Sequence, residues 1–190
     1  MVKQWVRRSS ADSSGSPTLR ANERYVSLVA RVPDELAARI ERWRVAQPEI
    51  LNPGSVHITV MVAPETVPAS QTLAALQKAL MGRRRVFVGL GEPASFAPVT
   101  TVSYLPLIEG GAELIGLNRV AERAVESSAS PFEYRPHLTL AQHVPHEVID
   151  RSLRDFKCLP DALKRFEIQR LCVYRYEKEE WHWVGTIELT

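Results

Sequence analysis

Two short segments carry the side chains best suited to moving protons at neutral pH. They are His57-Ile58-Thr59-Val60 and His137-Leu138-Thr139-Leu140, 80 residues apart. Each reads histidine, apolar, threonine, apolar. In an extended chain, side chains alternate between faces. His57 and Thr59 therefore share one face, as do His137 and Thr139, while Ile58, Val60, Leu138 and Leu140 take the other. An imidazole and a hydroxyl on one face, about 7 Å apart, suit the cleavage of a phosphodiester. One histidine takes a proton from the attacking oxygen and the other gives one to the leaving oxygen. The threonine hydroxyls donate hydrogen bonds to the non-bridging oxygens as charge builds there. With five histidines in the chain, two such flanked pairs arise by chance in roughly one sequence in a thousand. A lone strand histidine is more often structural, and threonine is simply a good strand former. The matched pair is what points to a shared site.

The elements that must present these residues are legible in the periodicity. Residues 25–32 alternate as a strand, and Pro33 and Asp34 open a helix with Leu36, Ile40 and Trp43 on one face. Residues 56–62 read as a strand. A helix follows Pro68, with Leu73, Leu76 and Leu80 aligned. Strands are expected over 86–90 and 99–107, and a helix through Leu114, Leu117, Ala121 and Ala124. Residues 134–141 read as a strand, and Ile149, Leu153 and Phe156 mark another helix. Two closing strands, 166–175 and 181–189, flank the charged turn at Lys178, Glu179 and Glu180. That turn lacks Asn-Gly or Asp-Gly, which predicts a longer loop. Each motif has a proline upstream, Pro53 and Pro136, and a helical pattern downstream. This is the mark of a duplicated half-domain.

Composition excludes several classes. The chain has 190 residues, 45% hydrophobic and 24% charged, with a net charge of +2. Residues 1–24 carry +3 of that, so the rest is nearly neutral at −1. A strongly basic nucleic-acid wrapper is excluded on this balance. No apolar run reaches the roughly 18 residues of a membrane span, and the first 22 residues hold no secretory apolar stretch. Residues 1–23 read as a disordered tail, rich in Ser, and residues 24–190 as one domain. Cys158 and Cys172 cannot form a disulfide framework and read as buried, reduced thiols. Gly89-Leu90-Gly91 lacks the third glycine of a dinucleotide loop.

The two motifs resemble those of the 2H phosphoesterase superfamily, and within it the bacterial 2′-5′ RNA ligase-like proteins. His57-Ile-Thr-Val is similar to the first motif and Arg135-Pro-His137-Leu-Thr139-Leu to the second. Leu171-Cys-Val-Tyr174-Arg175 and the strand ending at Leu189 resemble the last hairpin. The resemblance covers residues 24–190. It implies an α+β, bilobal fold, with two pseudo-symmetric antiparallel sheets, outer helices and a central cleft. It also implies a metal-independent phosphodiesterase acting on 2′,3′-cyclic nucleotide or RNA-end phosphates. The alternatives are 2′-5′ RNA linkage cleavage or ligation, and a binding module without turnover. His57 and His137 would be acid and base, and Thr59 and Thr139 would hold the phosphate. The working assignment makes His137 the base and His57 the acid. No cofactor is implied, and a cytoplasmic monomer is expected.

Further residues have a functional and a plain reading. Arg135 shares a face with His137 if the strand runs regularly through Pro136, and so could contact phosphate or remain solvated. Tyr174 could stack on a base or ribose, or pack in the core; Tyr104 is similar. His143, His146 and His182 lack metal-ligand spacing. Arg83, Arg84 and Arg85 read as a solvated helix end. Trp181 and Trp183 share a strand face, with core as the default.

Overall fold

The computed structural model describes residues 24–51, 54–126, 134–178 and 180–190. The expected tail over 1–23, Pro53 and Glu179 lie outside the described residues. The elements, in chain order, are β1 (Tyr25–Arg31), α1 (Asp34–Val45), β2 (His57–Pro64), α2 (Ala69–Leu80), β3 (Val86–Leu90), β4 (Ala94–Ser95) and β5 (Val102–Glu109). They continue with α3 (Gly111–Ala124), β6 (His137–Gln142), α4 (His146–Asp155), α5 (Asp161–Lys164), β7 (Arg165–Ile168), β8 (Arg170–Glu177) and β9 (Glu180–Glu188).

Local chemistry starts the helices. Pro33, Pro68, Pro145 and Pro160 each stand directly before a helix, where a fixed φ costs nothing and no N–H is wasted. The exception, α3, follows Gly110 at φ 77, a left-handed conformation that glycine adopts freely. The apolar stripes face inward as expected: Leu36 and Ile40 of α1, Leu76 and Leu80 of α2, and Leu114, Leu117 and Ala121 of α3 are buried. Gly185 of β9 lets α2 approach, because a Cβ there would collide with Leu73.

The strands follow the path β7-β3-β5-β6-β2-β1-β8-β9, with β4 added on β5. All pairs are antiparallel. This is the expected α+β architecture, except that the two expected sheets are joined through β2 and β6 into one nine-stranded sheet; its symmetry is visible in the order. β1-α1-β2-α2 and β5-α3-β6-α4 repeat one pattern, and the two motif strands meet at the centre. They touch through a single register pair, Ile58↔Leu138. The helices are exchanged between halves: α3 packs on β2 and α1 on β6.

Several boundaries differ from the sequence reading. β6 begins at His137, not residue 134, and β5 begins at Val102, not 99. The expected strand over 166–175 is broken at Gln169 into β7 and β8. β4 and α5 are too short to carry a periodic signal. The closing turn is tighter than expected: Glu177 pairs with Glu180, so two residues connect the strands. Lys178 supplies the left-handed backbone, at φ 52, that glycine or asparagine would more often provide. Cys172 is buried as expected, whereas Cys158 is exposed. Trp181 packs against Tyr176, with ring centroids 5.0 Å apart, but Trp183 is 63% exposed and is not core.

Candidate active site

The single pair between β2 and β6 determines how the motifs meet. Antiparallel register through Ile58↔Leu138 sets Thr59 against His137 and His57 against Thr139 on one face. The four side chains occupy the corners of a quadrilateral, with about 5 Å between strands and about 7 Å along them. The imidazoles take opposite corners, and each has the other half's threonine as its cross-strand neighbour. On the reverse face, Ile58, Val60, Leu138 and Leu140 are wholly buried.

Each motif contains a β-bulge at the same position. Leu28 pairs with Met61 and Val29 with Thr59, leaving Val60 without a partner on β1. Ser103 pairs with Ala141 and Tyr104 with Thr139, leaving Leu140 without one on β5. A bulge interrupts the ladder and leaves backbone groups to be satisfied elsewhere. The exchanged helices supply the donors. Asn118 of α3 donates through Nδ2 to the Val60 carbonyl at 2.9 Å. Arg44 of α1 donates through Nε to the Leu140 carbonyl, also at 2.9 Å. Arg44 also reaches the Thr139 carbonyl at 2.6 Å and the Gly54 carbonyl at 3.2 Å. The Tyr134 hydroxyl donates to the Thr59 carbonyl at 2.7 Å. Both motif backbones are thereby held by the opposite half.

The histidines are oriented alike. Nδ1 of His57 lies 3.0 Å from the Ser55 carbonyl, and Nδ1 of His137 lies 2.7 Å from the Arg135 carbonyl. A carbonyl accepts only, so each ring carries its proton on Nδ1, and the lone pair of the neutral ring lies on Nε2. Burial lowers the pKa of both rings below the ordinary histidine value. At His57 the positive charges of Arg44 and of a protonated His137 add to the effect. Burial lowers Arg44 itself to about 10, which leaves it charged at neutral pH. His137 is 8% exposed and stands beside a stacked aromatic pair. Phe96 and Tyr104 lie 4.0 Å apart at 20°, and the imidazole is 5.2 Å from each, at 82° and 63°.

The other expected residues are placed as follows. Arg135 is exposed, precedes β6 and serves His137 through its carbonyl. Tyr174 sits on β8, which pairs with β1. Register through Val29, Cys172 and Ser27 puts Tyr174 on the histidine face, half-buried, two strands from β2. Among the described residues no group of three His, Cys, Asp or Glu could hold a metal ion, and no helix is long and apolar enough to cross a membrane.

Sequence reasoning missed Arg44, Asn118, Tyr134 and Phe96. Two of them carried a signal. Arg44 continues the Leu36–Ile40 spacing, and Asn118 follows Leu114 by four residues. Each is a polar group on the apolar stripe of its helix, a position that demands a buried partner.

Comparison with known proteins identifies the family and the fold. A family profile for the 2′-5′ RNA ligase superfamily matches residues 32–180. No curated protein matches by sequence. Among solved structures, Escherichia coli LigT without ligand is similar at a TM-score of 0.64 and 15% identity, covering 89% of this chain and 99% of that one. E. coli LigT with 3′-AMP is similar at 0.66 and 13%, with the same coverage. TT0787 of Thermus thermophilus is similar at 0.60 and 14%, covering 87% of this chain and 97% of that one. At these identities the likeness concerns the fold.

Proposed function

We propose that this chain, which belongs to the 2′-5′ RNA ligase superfamily within the 2H phosphoesterases, hydrolyses 2′,3′-cyclic phosphates at nucleotide or RNA ends. The observation that carries the reading is the register through Ile58↔Leu138. It assembles two imidazoles and two hydroxyls on one face, each imidazole oriented through Nδ1 by a backbone carbonyl. The ligand class draws on the shared fold with an E. coli protein that takes 3′-AMP.

In this reading the phosphate sits over the quadrilateral, with its non-bridging oxygens on the Thr59 and Thr139 hydroxyls. His137 is the base. It is the more enclosed ring and neutral at rest, and its Nε2 takes a proton from water as the water oxygen bonds to phosphorus. His57 is the acid. Burial and then neighbouring positive charge, Arg44 included, hold its pKa down to about 3 in the free protein, and the entering anion offsets that repulsion and favours the protonated ring. Its Nε2 proton passes to the ribose oxygen as the P–O bond breaks. Arg44, Asn118 and Tyr134 position the motif backbones. No step requires a metal ion.

The test is incubation of the full chain with nucleoside 2′,3′-cyclic phosphates in EDTA, with the product read by ³¹P NMR. Conversion to a monophosphate ester is expected. Tight binding without product would replace the enzyme with a binding module. Turnover abolished by EDTA would remove the metal-free scheme.

A further inference from the structure

The floor around the histidines differs in chemistry between its two halves. Beside His137 on β5 stand Pro106 and Tyr104, which carry no charge. Beside His57 on β1 stands Arg31, its direct cross-strand partner. Cross-strand partners lie on the same face with Cα atoms about 5 Å apart, so Arg31 leaves the sheet on the face of His57 and Thr59, at the edge of the motif pair. Its side chain is 62% exposed and meets Asp34 at 3.6 Å, a carboxylate that is itself 96% exposed. An exposed pair of this length holds an arginine weakly.

Beyond Arg31 the same face changes from charge to aromatic surface. Val29, Cys172 and Ser27 are small and buried. Tyr174 stands beyond them on β8, opposite Ser27. Arg31 is near enough to act on Tyr174: burial and then Cys172 push the phenol pKa up, and the Arg31 charge pulls it back. Trp183, 63% exposed, is the cross-strand partner of Tyr174 on the edge strand. A cation followed by aromatic rings, here one half-buried and one exposed, is an arrangement that holds single-stranded nucleic acid, with backbone phosphate on the cation and bases on the rings. Because the folded body is nearly neutral, a polyanion must be held by individually placed cations rather than by a general field.

We propose that the strand leading to the reacting nucleotide docks on this half, with the 5′-phosphate of the terminal nucleotide on Arg31 and the base or ribose of the preceding nucleotide on Tyr174. The substrate is then the end of an RNA strand rather than a free cyclic mononucleotide. This deepens the reading of the site given above and rests on it. The added phosphate contact makes turnover of a strand end more sensitive to salt than turnover of a mononucleotide, by a log–log slope of about 0.7.

Three substrates separate the contributions: a nucleoside 2′,3′-cyclic phosphate, the same compound with a 5′-phosphate, and a dinucleotide ending in a 2′,3′-cyclic phosphate. The readout is the ratio of kcat/KM values. The 5′-phosphate is expected to raise kcat/KM about tenfold, and Arg31→Ala should abolish most of that ratio while Arg31→Lys restores part. The dinucleotide should add roughly another tenfold, which Tyr174→Ala removes and Tyr174→Phe keeps. Equal kcat/KM for all three substrates, or ratios unmoved by Arg31→Ala, would overturn the inference and leave the site reading intact. No turnover of any substrate by the wild type would overturn the site reading, and this inference with it.

Discussion

Arg44 and Leu140 belong to opposite halves of the chain, and the guanidinium Nε of the first donates to the backbone carbonyl of the second at 2.9 Å. The bond crosses the pseudo-symmetry of the fold. The same arginine holds the Thr139 and Gly54 carbonyls, so one buried cation ties the approach to His57 to the motif of His137.

Replacing that cation should cost both stability and rate. Arg44→Met leaves buried carbonyls without donors, for a loss of roughly 3 kcal/mol. Asn118→Leu removes the symmetric bond to Val60 and should cost about 1–2 kcal/mol. Urea denaturation measures both. Equal, negligible losses would show that the bulges need no support.

Removal of either imidazole should leave the fold and stop the chemistry. His57→Asn and His137→Asn are each expected to lower kcat by about 10²–10⁴ with the thermal midpoint little changed. Near-wild-type turnover in both would end the acid–base assignment.

The pH profile should lie on the acidic side of neutrality. Both histidines have lowered pKa values in the free protein. One must be protonated and the other neutral, so kcat/KM should peak below about pH 6.5. The bound phosphate anion raises both values, so the kcat optimum should lie higher. Stability has the matching sign: the unfolded chain binds these protons more readily, so the stability contributed by neutral rings is present above about pH 6.5 and is lost as pH falls toward the folded values. His57→Asn should flatten that loss in thermal midpoints measured from pH 8 to pH 5. A kcat/KM optimum above pH 7 would contradict the burial argument.

The aromatic pair beside His137 should matter for ring placement. Phe96→Ala removes one member of the stack, an interaction of about 0.5–1.5 kcal/mol. A fall in kcat of up to about tenfold is expected, with KM less affected. An unchanged kcat would make Phe96 a surface residue only.

The two thiols should differ in reactivity. Cys158 is exposed and Cys172 is buried. A thiol-specific chromogenic reagent should titrate one group in the native protein and two in denaturant. Two fast-reacting thiols in the native state would contradict the packing of β8.

The sequence alone determined the motif residues, their shared faces, the helices after Pro33 and Pro68, and the duplicated order, because alternation and helical spacing are local properties of the chain. It also showed that the body is nearly neutral. Only the tertiary structure decided that β2 and β6 meet at Ile58↔Leu138, that Val60 and Leu140 are bulged, and that Arg44 and Asn118 cross between halves to hold them. Arg31 is the sharpest case: it lies 26 residues before His57 in the chain yet is its immediate neighbour on the sheet. Strand register comes from packing the whole core and from where ladders are interrupted, and those energies belong to no single segment.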